Sequence, residues 1–329
     1  MSIHRRKLTD EDVGIEITHC GICHSDLHWI RNEWKDSVYP MVPGHEIIGR
    51  VSSIGSKVSK FKVGDKVGVG LYVDSCRKCD LCTNGQSQHC PECVFVFNAK
   101  YRKDDNNITM GGFSKYIVVD QNYINTIPVK MDIQSAAPLL CAGVTVFTPM
   151  RKQQIGPGCR FAVNGFGGLG HLATKLGVAM GADVTVLSHS SKKEDDARRL
   201  GVKDFVLTSK PSELRKLRQR FDCVLDTVTV KHNMDSIFNT IKINGKLILI
   251  GIPEHPISLQ AQSLVMGSRS MVGSLIGSIE DAQNVIDFCA EKDIRPEIEL
   301  IKMDYVNEAM ERMLKSDVRY RFVIDMSSL

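Results

Sequence analysis

Residues 159–193 read CRFAVNGFGGLGHLATKLGVAMGADVTVLSHSSKK, and their order decides the fold. Phe161–Asn164 is an apolar run that predicts a strand. Gly165-Phe166-Gly167-Gly168-Leu169-Gly170 follows and fits G-x-G-x-x-G. The next stretch, HLATKLGVAMGA, has helical spacing, and DVTVLS reads as a second strand. A glycine triplet alone is a weak signal, because loops collect glycines by chance. Between a strand and a helix it points to a dinucleotide site, with a plain structural turn as the competing reading. Gly165 is expected to make the tight turn and Gly167 to admit a pyrophosphate against the backbone. Gly170 is expected to let helix and strand pack closely. Gly168 and Leu169 complete the loop at a helix N-terminus, where phosphate charge is favoured.

The end of the second strand reports the kind of dinucleotide. An NAD site usually presents Asp or Glu about 20 residues on, to bind the ribose 2′-hydroxyl. This chain has Val186-Leu187-Ser188-His189-Ser190-Ser191-Lys192-Lys193, with no acid. Ser188, His189 and Ser190 offer hydrogen bonds, and Lys192 and Lys193 offer charge, so NADP(H) is expected. In the blander reading, Ser188 caps a turn and the lysines are solvated.

Towards the C-terminus the alternation continues through KKEDDARRLG, DFVLT, FDCVLDTV and GKLILIGI, which argues for βαβ units on a parallel sheet. Towards the N-terminus the first 130 residues or so are different. EDVGIEI, EIIGRVSSIG, DKVGVGLYV and FSKYIVVD mix β-branched residues with Gly and Asp breaks and predict a β-rich domain. The tail predicts a helix (Ile279–Lys292), a strand (Glu297–Lys302), a helix (Tyr305–Lys315) and a last strand (Tyr320–Ile324).

Composition agrees with a folded, two-domain chain. Its 329 residues are 43% hydrophobic and 24% charged, which excludes disorder, collagen and a coiled coil. A net charge of +4 predicts no nucleic-acid partner. The longest apolar runs, such as Leu247–Ile252, fall far below the ~20 residues that span a bilayer. The opening MSIHRRKLTDEDVG has no apolar signal-peptide core, so the expected location is cytoplasmic, with no membrane partner.

Eleven cysteines in such a chain suit metal binding or chemistry better than disulfides. Cys76, Cys79, Cys82 and Cys90 have the spacing C-x2-C-x2-C-x7-C. Four thiolates suit a closed, structural zinc site. An iron–sulfur cluster is the competing reading, with Cys93 as a spare thiol. A second constellation holds Cys20-Gly21-Ile22-Cys23-His24-Ser25-Asp26-Leu27-His28, then His45-Glu46, then Cys141. A catalytic zinc takes three protein ligands and keeps one position open. Cys23, His45 and Cys141 can supply them, but by spacing alone His19, Cys20, His24 and His28 compete.

Eight stretches together carry a family resemblance: CGICHSDLH (20–28), YPMVPGHEIIG (39–49), FKVGDKVGVG (61–70), the cysteine cluster, APLLCAGVTV (137–146), GFGGLGH (165–171), GSLIGS (273–278) and DVRYRFVID (317–325). In this order, over nearly the whole chain, the sequence resembles the zinc-dependent medium-chain alcohol dehydrogenases, in the cinnamyl alcohol dehydrogenase-like branch. The resemblance implies an α/β fold in which a GroES-like β-rich catalytic domain is joined to a Rossmann doubly wound parallel sheet. Expected boundaries are 1–140 (catalytic, first part), 141–277 (Rossmann, NADP-binding) and 278–329 (return to the catalytic domain). It implies two zinc ions per chain and NADP(H). Cys23, His45 and Cys141 map onto the catalytic zinc ligands, and Glu46 onto a glutamate behind the metal. Asp26 maps onto a carboxylate that orients the histidine. Ser25 and His28 map onto a proton relay, His24 onto a pyrophosphate contact, Thr145 onto the nicotinamide side and Lys193 onto a 2′-phosphate contact.

The implied reaction is hydride transfer between NADP(H) and a primary alcohol or aldehyde, aromatic or medium-chain, by a homodimer joined at Met271–Ile276. Some relatives have become C=N or C=C reductases, but they tend to lose the relay that Ser25 and His28 preserve here. The chain begins later than its family usually does, so an inactive truncated isoform is a further alternative. Two pocket positions that lignin-pathway enzymes fill with Trp and Phe match Phe95 and Leu275, which keeps the pocket apolar without implying strict cinnamyl specificity. Cys20, Cys159, Cys223 and Cys289 are expected as buried small hydrophobes.

Overall fold

The computed structural model describes residues 2–102, 104–253 and 255–329. The chain forms two compact units, one of residues 1–144 with 277–329 and one of residues 145–276.

The first unit is built on a seven-stranded sheet around the strand Asp12–Gly21. One edge of that strand pairs antiparallel with Glu46–Ile54 along its whole length. The other edge is shared: residues 12–16 pair with Tyr116–Asp120, and residues 19–21 pair with Arg321–Asp325. The C-terminal tail thus adds two strands, Arg321–Asp325 and Ile298–Lys302, to the N-terminal sheet. Val13, Ile15, Ile17, Ile47, Ile48, Val323 and Ile324 are all buried, as a central position in a sheet requires. The predicted tail elements appear as Ile279–Glu291, Ile298–Lys302, Val306–Leu314 and Arg321–Asp325.

The second unit is a six-stranded, all-parallel sheet. Its order in space is Asp204–Leu207, Asp183–Ser188, Arg160–Asn164, Phe221–Asp226, Ile241–Leu249, Ser270–Gly273. Strand order reverses between Arg160–Asn164 and Phe221–Asp226, the doubly wound arrangement that opens a crevice at the strands' carboxyl ends. Ala162, Leu187, Phe221, Val224, Phe238 and Leu247 pack into one core. Two expectations need correction. The last strand ends at Gly273 rather than Ile276: the Ser274 N–H still donates to the Leu249 carbonyl (3.1 Å), but Leu275 just beyond is 49% exposed. Cys159 is only half-buried, because it sits in the turn before the strand Arg160–Asn164; Cys20, Cys223 and Cys289 are buried.

Two arginines tie the start of the chain to the first sheet. Arg5 donates to the Met110 carbonyl, to the Gly111 carbonyl (2.9 Å) and to the Ser114 hydroxyl (2.6 Å). Arg6 grips the buried Asp12 carboxylate, which also accepts from the Thr9 N–H (2.8 Å) and hydroxyl (2.5 Å). Burial opposes charge on Asp12, but these donors draw its carboxyl down from 3.8 to about 2. A depressed carboxylate stabilises the fold above its unfolded pKa and loses that contribution as pH falls through the folded one. The wild-type advantage over Asp12→Asn should therefore be about 2 kcal/mol at neutral pH and shrink from about pH 4 to about pH 2. Urea unfolding at a series of pH values checks this; an advantage that does not change with pH would contradict it.

Candidate functional site

The first site grows from strand register. Gly21 at the end of one strand pairs with Glu46 at the start of the next, so the segments just beyond, Ile22-Cys23 and Gly44-His45, leave the sheet side by side. Cys23 caps the helix His24–Ile30, and Asp26 in its first turn reaches back. One Asp26 oxygen accepts from the Cys23 N–H at 2.9 Å. The other accepts from the Gly44 N–H and from His45 Nδ1, both at 3.0 Å. Asp26 and His45 are fully buried. With Nδ1 donating to Asp26, Nε2 is the nitrogen presented to the site, and it lies 3.2 Å from Cys141 Sγ. Cys141, which ends the 3₁₀ helix Gln134–Leu140, brings its Sγ to 3.8 Å from Cys23 Sγ.

Cys23, His45, Glu46 and Cys141 thus offer donor atoms that all lie within 4.8 Å of one another. His19, Cys20, His24 and His28 stand outside this group. Hydrogen bonding with the Cys141 thiol draws the Cys23 thiol well below its ordinary range, helped by His45 and by the Arg321 charge. Two sulfurs and an imidazole nitrogen suit zinc, which binds them as thiolate and neutral imidazole. Glu46 pairs through one oxygen with the buried Arg321 guanidinium. Its other oxygen has no hydrogen-bond partner, and a Cβ on Gly21 would stand 2.0 Å from it. Burial pushes Glu46 up to about 7, against the pull of Arg321. Sequence reading assigned Arg321 no role; the available signal was a lone cation inside the apolar strand Arg321–Asp325.

Ser25 and His28 lie three residues apart on the helix His24–Ile30, one helical face. The Ser25 hydroxyl is 3.8 Å from Cys23 Sγ. His28 is part exposed and pairs with Glu33 through Nδ1. His24 is exposed on the same helix. Trp29, Trp34, Phe95 and Phe97 form a chain of ring contacts of 4.7–5.7 Å between centroids, and Phe97 stacks on the His45 ring at 6.1 Å. Leu275, the other expected pocket position, belongs to the second unit.

The second cluster is Cys76, Cys79, Cys82 and Cys90. Neighbouring sulfurs are 3.6–3.9 Å apart. That is far beyond a disulfide and equals the edge, about 3.8 Å, of a tetrahedron of sulfurs at the zinc–sulfur distance. Backbone N–H groups of Lys78 and Cys79 draw the Cys76 thiol down to about 6, and the Glu92 N–H points at Cys90 Sγ (3.3 Å). Cys93 is not in the group. Both clusters therefore fit zinc by donor chemistry.

The glycine loop joins the strand Arg160–Asn164 to the helix Gly168–Ala179. Gly165 has φ +93°, and a Cβ there would meet Thr227 Oγ1 at 2.5 Å. A Cβ on Gly170 would meet the Gly165 carbonyl at 2.0 Å. Gly167 faces open space, with nothing within 4 Å of a Cβ, as backbone presented to a ligand should be. At the end of the strand Asp183–Ser188, the Ser188 hydroxyl donates to the Ser190 carbonyl (3.0 Å). His189, Ser190 and Lys192 are exposed and Lys193 half-buried, around the short 3₁₀ turn Ser191–Lys193. The nearest carboxylates come only in the following helix, Glu194–Arg199. Thr145 is half-buried in the helix Ala142–Lys152.

Comparison with known proteins agrees with both halves. Residues 9–129 match the alcohol dehydrogenase GroES-like domain, and residues 168–291 match the zinc-binding dehydrogenase family. The chain belongs to the zinc-dependent medium-chain alcohol dehydrogenases, in the cinnamyl alcohol dehydrogenase-like branch. It is 50% identical to NADP-dependent alcohol dehydrogenase C of Mycobacterium bovis, over all of this chain and 94% of the relative. Among solved structures it resembles a cinnamyl alcohol dehydrogenase of Sorghum bicolor, with a TM-score of 0.97 and 42% identity over 99% of this chain and 93% of the other. A cinnamyl alcohol dehydrogenase of Helicobacter pylori complexed with NADP(H) follows, with a TM-score of 0.92 and 38% identity over 98% and 92%.

The two clusters should part under mutation. Cys79→Ser should lower soluble yield sharply, because a structural zinc contributes folding free energy. Cys141→Ser should leave a folded protein that has lost one zinc. Elemental analysis should read two zinc ions per wild-type chain and one in Cys141→Ser; iron in place of zinc would overturn the assignment.

Proposed function

We propose that this chain is an NADP(H)-dependent alcohol dehydrogenase that interconverts primary alcohols and aldehydes of aromatic or medium-chain type. The observation that carries this reading is the set Cys23, His45 and Cys141, three donors for one metal with Asp26 orienting the histidine. Three protein donors leave a position for substrate, whereas the four-cysteine cluster leaves none. When bound, zinc supplies Lewis-acid polarisation of the substrate oxygen, and the nicotinamide gives or takes the hydride.

The chain's own residues do the rest. The Ser25 hydroxyl accepts the alcohol proton as it gives up its own to the relay, and His28, part exposed and paired with Glu33, releases a proton to solvent at the relay's end. His24 and Thr145 contact the cofactor. Gly165, Gly167, Gly168, Leu169 and Gly170 receive its pyrophosphate at a helix N-terminus. Ser188, His189, Ser190 and Lys193 hold the 2′-phosphate; the absence of a carboxylate at the end of Asp183–Ser188 supports this choice. The ring cluster of Trp29, Trp34, Phe95 and Phe97 beside His45 favours a flat or apolar substrate body. The name of the Mycobacterium bovis relative and the NADP(H) complex of the Helicobacter pylori structure support the cofactor.

Two finer readings belong with this one. No described helix is long and apolar enough to cross a membrane. None of the eleven cysteines is in a disulfide, which suits a reducing, cytoplasmic setting. Among the described residues the strand Ser270–Gly273 pairs with Ile241–Leu249 alone and leaves a sheet edge open, which suits a homodimer. Light scattering at micromolar concentration should give the dimer mass; a monomer would refute it.

Steady-state assays of zinc-loaded protein with an aldehyde panel test the central reading. NADPH should be preferred over NADH by about a hundredfold in kcat/KM, since each charge-assisted phosphate contact contributes roughly tenfold. Lys193→Ala should weaken NADPH use and spare NADH use. Ser25→Ala should lower kcat by about 10²–10⁴ while the Kd for NADPH barely moves. Equal use of NADH and NADPH by the wild type would overturn the cofactor assignment.

A further inference from the structure

Asn164 and Asp226 are the last residues of the two strands that flank the reversal of strand order, and they are paired in register. Beyond such strand ends lies the crevice in which an open α/β sheet takes its ligand. Asp226 is completely buried there, and each of its oxygens is engaged. One accepts from Asn164 Nδ2 (2.9 Å) and from the Val228 N–H (3.1 Å); the other accepts from His232 Nε2 (2.9 Å). The second ring nitrogen, His232 Nδ1, lies 2.9 Å from the Val230 carbonyl. The Val230 carbonyl only accepts, so Nδ1 donates to it, and hydrogen bonding to Asp226 at Nε2 raises the ring's affinity for a second proton. The His232–Asp226 pair and the Val230 bond close residues 226–232 into one loop.

That loop rests on the glycine turn. The Thr227 N–H and hydroxyl donate to the Asn164 carbonyl, at 3.0 and 2.9 Å. Thr227 and Val228 are the groups a Cβ on Gly165 would strike. The connection is therefore tied down at both ends, to the Asn164 carbonyl through Thr227 and to Asp226 through His232. Val230 between these two anchors is 70% exposed.

We propose that His232 is a positioning residue for the dinucleotide: by closing the loop 226–232 onto Asp226 it sets the wall of the cofactor crevice opposite the glycine turn. This rests on the reading of the protein as a dinucleotide-dependent dehydrogenase. The clamp lies on the strand Phe221–Asp226, not on the strand that ends at Ser188, so it acts on the whole cofactor and not on the 2′-phosphate.

Fluorescence titration with NADPH and NADH on zinc-loaded protein reads this directly. His232→Ala should raise Kd for both cofactors by about tenfold, the worth of a lost hydrogen bond to a charged group. It should keep kcat within about twofold and retain both zinc ions. His232→Gln keeps a donor at the reach of Nε2 and should restore most of the affinity. Hydrogen exchange on the wild type keeps the test open if the alanine variant does not fold: NADPH should slow exchange of the 227–233 amides. Unchanged Kd in His232→Ala, a loss confined to NADPH, or no slowing of those amides would overturn the inference while leaving the dehydrogenase reading intact. A wild type that binds neither cofactor would overturn both.

Discussion

Everything in the first site hangs on one buried carboxylate. Asp26 is inaccessible to solvent, and it accepts from the backbone of Cys23, the backbone of Gly44 and the ring of His45. Its three donors come from two chain segments that leave neighbouring strands at the paired residues Gly21 and Glu46. Sheet register brings the segments near each other, and Asp26 turns nearness into geometry. It fixes which imidazole nitrogen faces Cys141 and where the Cys23 sulfur begins. A buried carboxylate without donors is costly, so the same bonds that align the site also justify the charge. Gly21 belongs to this constraint, since any side chain there would collide with Glu46.

The second site depends on an analogous economy of backbone. Three glycines of the loop meet three different demands: a positive φ, a close approach of helix to strand, and an open face. The strand order places that loop and the Asn164–Asp226 pair at the same reversal point. Negative charge is held back from the end of the neighbouring strand. The strand Asp183–Ser188 ends on a hydroxyl, and the acidic residues begin only in the helix after Lys193.

Much of this was legible in the sequence because it is local. The four-cysteine spacing and the glycine loop are short-range patterns, and the chemistry of zinc and of tight turns requires those residue types. The alternating strands and helices of residues 160–273 follow from apolar periodicity, with the ends displaced, by three residues at the close of Ser270–Gly273. The choice of His45 over His19, His24 and His28 was not legible from spacing. It depends on the strand pairing of Gly21 with Glu46, which no local pattern encodes. Arg321 was hidden for the same reason, since its partner Glu46 is 275 positions away. His232 carries no local signal, since residues 227–233 match no motif. Only the burial of Asp226 beneath it gives that histidine a task.

Asp26 sets the geometry of the three-donor metal site and plays no part in the four-cysteine one. Titrating cobalt(II) into metal-free wild type and Asp26→Asn, with circular dichroism to verify the fold, tests it most directly. The wild type should fill two tetrahedral sites, each with thiolate-to-metal absorption. Asp26→Asn should fill the four-cysteine site unchanged and weaken the other by about 10- to 100-fold, the usual cost of losing a partner behind a ligand. A folded Asp26→Asn protein that binds both cobalt ions as tightly as the wild type would contradict the account.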